Sequence, residues 1–322
     1  MTPPAVQTTG PGRFIDPQAL MSIRHLELRA RVVVEGFWSG LHRSPYHGFS
    51  VEFTEYRPYT PGDDPRYLDW RVLARSDRYF VKRFEDETNL RCHLLVDQSR
   101  SMTYGSLAGT KADYAATLAA SLAYFLNLQG DAVGLLTFDE QVRDYLPPRH
   151  RPGHLRQLLF HLDRPAAGRG TDLTAPLRRA TELLRKRGLV VLISDFLAPL
   201  DRLDRALLEL AAGGHEIVLF QVLDPAEVAF EFRTPAVFED AETGRRLQLD
   251  PVAARPDYLR RLEAHCTAVH DICRRLGAGY TRLETRQPLE LALLEFLRRR
   301  AERGRRSVRV ARQTARRAAV VA

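Results

Sequence analysis

Cysteine is scarce in this chain of 322 residues: only Cys92, Cys266 and Cys273 occur, an odd set without framework spacing. A disulfide scaffold is excluded, and thiols used this way suit a reducing compartment. Long hydrophobic runs are missing as well. The longest uncharged stretch inside the chain, Tyr114 to Gly130, contains Thr117, Ser121, Asn127 and Gln129, short of the ~20 apolar residues a membrane span needs. Met1 to Pro17 has prolines and glycines but no apolar core, so a secretory signal is not expected and a cytoplasmic location is. Several catalytic signatures are absent too. There is no Gly-x-x-x-x-Gly-Lys-Ser/Thr loop to cradle a phosphate, no Gly-x-Ser-x-Gly elbow and no His-Glu-x-x-His. Gly109-Thr110-Lys111 lacks the spacing of the first. Any ATP hydrolysis is expected from a partner, and no small-molecule substrate is expected.

What is present is an ordinary globular composition, 44% hydrophobic and 27% charged, in a length that suits one large domain or two smaller ones. The net charge of +8 suggests nucleic acid until it is located. Residues 298–322 hold ten arginines and one glutamate, a net of +9, which leaves −1 for residues 1–297. The basicity belongs to the tail. Such a tail reads first as a solvated end, and second as an arm for weak contact with an anionic membrane or a nucleic acid.

Along the chain, residues 1–20 read as a disordered leader and 21–88 as a small β-containing subdomain. In the latter, Ser50–Tyr56 and Tyr79–Phe84 are extended and Tyr59-Thr60-Pro61-Gly62-Asp63-Asp64 is a turn signal. From 89 to 298 apolar strands alternate with helices. Cys92–Val96, Ala132–Phe138, Leu189–Ile193, Glu216–Val222 and Tyr280–Leu283 read as strands. Lys111–Leu128, Gly153–Leu162, Leu173–Arg187, Asp201–Ala212, Tyr258–Leu276 and Pro288–Arg300 read as helices, with Asp224–Asp257 a loop-rich insertion. This alternation predicts an α/β fold with a doubly wound, mostly parallel sheet. Residues 299–322 form the basic tail.

Ligands of such sheets bind beyond the carboxyl ends of the strands. The first strand delivers Asp97-Gln98-Ser99-Arg100-Ser101 to that edge, the loop before the Leu173 helix delivers Gly170-Thr171-Asp172, and the strand Leu189–Ile193 delivers Asp195. These are carboxylates and hydroxyls without thiolate or imidazole, a donor set for a hard ion such as Mg²⁺ or Mn²⁺. With only about two carboxylates in range, the ion keeps excess positive charge and holds waters or accepts a partner's carboxylate.

Asp97-x-Ser99-x-Ser101, then Thr171, then Asp195 resembles the metal-ion-dependent adhesion site of von Willebrand factor A domains. The upstream block runs Glu55-Tyr56-Arg57-x-Tyr59-x-Pro61-Gly62-Asp63-Asp64-x-Arg66-x-x-Asp69-Trp70, followed by Ala74-Arg75 and Phe84-Glu85. It resembles the family catalogued as Domain of Unknown Function 58. Members are von Willebrand A-like and often associated with MoxR-type AAA+ ATPases. The resemblance implies one ion, with Ser99, Ser101 and Thr171 as direct ligands and Asp97 and Asp195 ligating directly or through water.

The resemblance also implies an adaptor role beside a MoxR-type AAA+ ATPase, with the ATPase or a client protein supplying an acidic residue. A metal-dependent hydrolase using the same site is the alternative, together with anionic-surface binding through the tail. In the upstream block, Asp63, Asp64 and Asp69 pair best with Arg57, Arg66, Arg71 and Arg75 as a neutralised network. Asp63, Asp64, Arg66, Asp69, Trp70 and Arg75 are therefore docking candidates rather than general acids and bases. Cys266, His270 and Cys273 sit at metal-ligand spacing, but Leu262, Val269 and Leu276 share their stripe, which predicts core packing.

Overall fold

The computed structural model describes residues 8–9, 14–43, 55–58, 80–83, 90–166, 173–239 and 244–298. Six strands form the central sheet: β1 (Arg91–Asp97), β2 (Ala132–Phe138), β3 (Val142–Arg149), β4 (Leu189–Ser194), β5 (Glu216–Leu223) and β6 (Gly279–Glu284). Their order is β6-β5-β4-β1-β2-β3. All neighbours run parallel except β3, which returns antiparallel along β2. The expected α/β class and doubly wound sheet are therefore present.

The helices are α1 (Pro17–Met21), α2 (Leu26–Arg43), α3 (Lys111–Leu128), α4 (His154–Leu162), α5 (Thr174–Leu183), α6 (Leu200–Ala212), α7 (Pro225–Ala229), α8 (Pro251–Leu276) and α9 (289–298). No helix of the described residues is long and apolar enough to cross a membrane.

Strand period explains why two helical layers are needed. All of β4 and all but the first residue of β1 are buried, so each strand faces apolar cover on both sides. Leu94, Val96, Val191 and Ile193 point into one core with α2, α3, α4 and α9. Leu95, Val190 and Leu192 point into the other with α5, α6 and α8. Successive side chains alternate between faces.

Three features differ from the sequence reading. First, β3 carries Pro147-Pro148, which argues against a strand except at an edge, and an edge is where it lies. Gly134 opposite it admits no side chain, since a Cβ would lie 2.7 Å from Pro148 N and 2.8 Å from Leu146 O. Second, the leader does not extend to residue 20. Asp16 caps α1, and Ile15 and Leu20 are buried in the same core as Val33, Val34 and Phe37 of α2. Apolar residues too sparse to signal a helix are buried in a core shared with α2 and α3. Third, the insertion is structured: it holds α7, a hairpin pairing Ala236–Glu239 with Arg246–Leu249, and the first seven residues of α8. Asp250 caps α8, whose first residue, Pro251, lies seven residues upstream of the expected start. The upstream strands pair antiparallel as Glu55–Pro58 with Phe80–Arg83.

Candidate metal centre and its lysine

The connection leaving β1 runs through α3, on one face, to β2. The connection leaving β4 runs through α6, on the other face, to β5. The neighbouring strands β1 and β4 thus bracket the point where the winding reverses, and a crevice opens beyond their carboxyl ends. Val96 pairs with Ile193, which sets Asp97 beside Ser194 and Asp195.

Asp97 is wholly buried. One carboxylate oxygen accepts the Ser99 amide at 2.8 Å, and the other accepts the Ser194 hydroxyl at 2.5 Å. Ser99 and Ser101 follow on a short 3₁₀ turn, Arg100–Thr103. Their hydroxyls lie 3.1 Å apart, and the Ser101 hydroxyl donates to the Asp195 carboxylate. Asp97, Ser99, Ser101 and Asp195 therefore meet at one place, as their order along the chain implied. Thr171 lies outside the described residues, as do Asp63, Asp64, Arg66, Asp69, Trp70 and Arg75 of the upstream block and all of the tail beyond residue 298.

The backbone under Asp195 is held from several directions. Its carbonyl accepts from the Gln221 amide at 2.8 Å, and the Tyr280 hydroxyl donates to the other end of that amide. Phe196 adopts φ 53°, left-handed backbone for a bulky residue. Its amide donates to the Ser194 hydroxyl at 3.0 Å, and its carbonyl meets His265 Nε2 at 2.8 Å. Strain of this kind persists where surrounding contacts over-determine it, and it clusters at functional sites.

Sequence reasoning missed the charge beside the site. Lys111, the first residue of α3, is fully buried with its ammonium 2.9 Å from Asp195 and 2.7 Å from Glu227. The other Glu227 oxygen accepts the Asp224 amide at 2.8 Å, closing a capping box on α7. The Asp224 carboxylate, also buried, accepts the Ser106 amide and hydroxyl at 2.8 and 2.5 Å. The available signal was Thr110-x-x-Asp113, a capping box that fixes Lys111 at a helix start directed at the strand ends.

The electrostatics follow from burial. Desolvation raises the Asp97 carboxyl above its ordinary range, and the charge of Asp195 adds to the rise. Desolvation acts the same way on Asp195 and is the largest single effect, but the charge and hydrogen bond of Lys111, with hydrogen bonds from the Leu197 amide and Ser101, together outweigh it and hold that carboxyl low. Burial alone would strip the proton from Lys111, yet Asp195 and Glu227 reverse the effect and keep it charged.

The donors fit a hard divalent ion. Asp97, Ser99, Ser101 and Asp195 offer only oxygens, and two adjacent buried carboxylates, one already driven toward its neutral form, are relieved by a cation. Among the described residues no group of three or more histidine, cysteine, aspartate or glutamate side chains could hold an ion, so the described donor set here is two carboxylates and two hydroxyls. Cys266 and Cys273 are both buried, as expected of a packed stripe; Cys273 lies with Val269 in the core against β4 and β5, and Cys266 lies beside Arg282 and Gln221.

The family model described as "Protein of unknown function DUF58" matches residues 55–268. The uncharacterized protein Rv1480 of Mycobacterium tuberculosis is 33% identical over 280 residues, 85% of this chain and 87% of the relative. The uncharacterized protein MAV169 of Mycobacterium avium is 31% identical over 154 residues, 47% of this chain and 89% of its own. Among solved structures, BatB of Bacteroides thetaiotaomicron is 15% identical with a TM-score of 0.46, covering 66% of this chain and 99% of that one. The SpRpn10 VWA domain is 13% identical with a TM-score of 0.36, covering 63% and 93%.

Proposed function

This chain belongs to the DUF58 family of proteins of unknown function, and we propose on that premise that it is a metal-dependent protein-interaction module. In this reading it serves as an adaptor for a MoxR-type AAA+ ATPase in the assembly or remodelling of other proteins. The observation that carries it is the meeting of Asp97, Ser99, Ser101 and Asp195 at the winding reversal between β1 and β4. A bound Mg²⁺ or Mn²⁺ supplies an open coordination position for an aspartate or glutamate of the partner. The chain's own residues do the rest. Ser194 and the Ser99 amide orient Asp97, Lys111 and Ser101 orient Asp195, and Gln221 and His265 pin the backbone between them. Binding rather than turnover is the expected activity, because neither Asp97–Met102 nor Ser194–Phe196 contains a histidine or cysteine to serve as base or nucleophile.

A thermal melt with and without Mg²⁺ tests the ion. At roughly a hundredfold excess over its dissociation constant, an ion bound only by the folded chain adds about 2.7 kcal/mol. The wild type should gain a higher midpoint that Asp97→Ala lacks. Capture of a purified MoxR-type ATPase should then depend on Mg²⁺ and fail with chelator. A shift shared equally by the variant, or no shift in either with millimolar Mg²⁺ or Mn²⁺, removes the ion from this reading.

A further inference from the structure

Resting on that reading of the site, we propose that Lys111 is its positioning residue: a fixed internal cation that holds Asp195 in register while weakening the grip of the site on a metal ion. The ion is then retained firmly only when an acidic partner adds its own charge.

Three observations carry this. The ammonium cannot swing away, because the Lys111 side chain has no exposed surface. Its backbone is fixed as well. The Lys111 amide donates to Tyr104 O at 2.9 Å, and the Thr110–Asp113 capping box sets the helix start. Finally, the charges are shared unequally. Asp195 is fully buried, whereas the Glu227 side chain, on the same ammonium, retains 18% exposure.

The consequence is electrostatic. Asp97 and Asp195 together bring two negative charges to the site, and one is offset by an ammonium in direct contact. A divalent ion therefore meets a net of one negative charge from these three groups. Glu227 modulates this, since it draws part of the ammonium's field away from Asp195. Removing the lysine should strengthen ion binding, and neutralising Glu227 should weaken it. A purely structural ion pair behaves otherwise, because breaking it from either end loosens the same contact and shifts ion affinity the same way.

The test is calorimetric titration of the full chain with Mn²⁺ alone, for wild type, Lys111→Met and Glu227→Gln, with circular dichroism to verify folding. The expected result is Mn²⁺ bound about tenfold or more tightly by Lys111→Met and several-fold more weakly by Glu227→Gln, since charges a few ångströms apart near a protein surface interact on the order of kilocalories. The Mn²⁺-induced rise in melting temperature should also be larger for Lys111→Met than for wild type. If Lys111→Met does not fold, Glu227→Gln decides alone, and unchanged or tighter binding there overturns the assignment. Affinities that move together, or do not move while wild type binds Mn²⁺, overturn the role of Lys111 and leave the metal site standing. No Mn²⁺ bound by any variant overturns both.

Discussion

His93 sits in β1 four residues before Asp97, 5% exposed, with its ring against that of His215. Burial pushes its pKa down to about 4, with His215 and Arg91 adding to the fall. The sign of the resulting pH dependence is fixed. Above the ordinary imidazole value both states are neutral there and nothing is lost. Between about 6.5 and 4 the unfolded chain takes up a proton that the folded chain refuses, so stability falls with pH, by about 3 kcal/mol in full. Urea unfolding of His93→Gln should show a flatter dependence across that window than the wild type; an unchanged slope would remove His93 as its source. Neither this histidine nor Lys111 was legible in the sequence, because a charged or titratable residue in an apolar run does not reveal its partners. Asp97, Ser99, Ser101 and Asp195 were legible, because a polar residue at the end of a buried strand is placed by the strand itself.

At the scale of elements, the helix starts carry the site. Thr110 and Asp113 exchange hydrogen bonds around the first turn of α3, and Thr110→Ala should cost about 1 kcal/mol in thermal unfolding. Asp224→Ala should cost more, about 2 kcal/mol or beyond. Asp224 caps α7 and also receives both hydrogen bonds from Ser106, so its loss leaves donors unmet on two loops. A smaller loss than at Thr110 would mean that α7 is not held through this residue. The long helix α3 was read from the sequence with both ends correct, since its apolar length and its cap agree. β3 was not, since Pro147-Pro148 argues against a strand and only the exposed edge of the sheet accommodates them. α7 and the start of α8 were hidden for a related reason. Pro225 and Pro251 look like breakers in sequence, but each stands at a first helical position behind a capping aspartate.

Among the described residues the central sheet carries a separate core on each face. Leu118 of α3 and Leu207 of α6 are fully buried on opposite faces. Each truncation to alanine should cost about 2–5 kcal/mol. The double variant should lose the sum within about 0.5 kcal/mol, as for sites without shared partners. A marked departure from additivity in denaturant titrations would mean that the sheet transmits strain between its faces. By itself the sequence determined the alternation of strands and helices, hence the α/β class. It also determined which aspartates and serines stand at strand ends, because local periodicity and strand direction suffice for both. The tertiary structure alone decided that α1 and α2 join the core rather than precede it. It alone decided that β3 closes an edge, and that the ammonium of Lys111 reaches carboxylates 84 and 116 residues away. The physical reason is that periodicity is written in neighbours along the chain, whereas the pairing of buried charges depends on which distant segments the sheet order brings together.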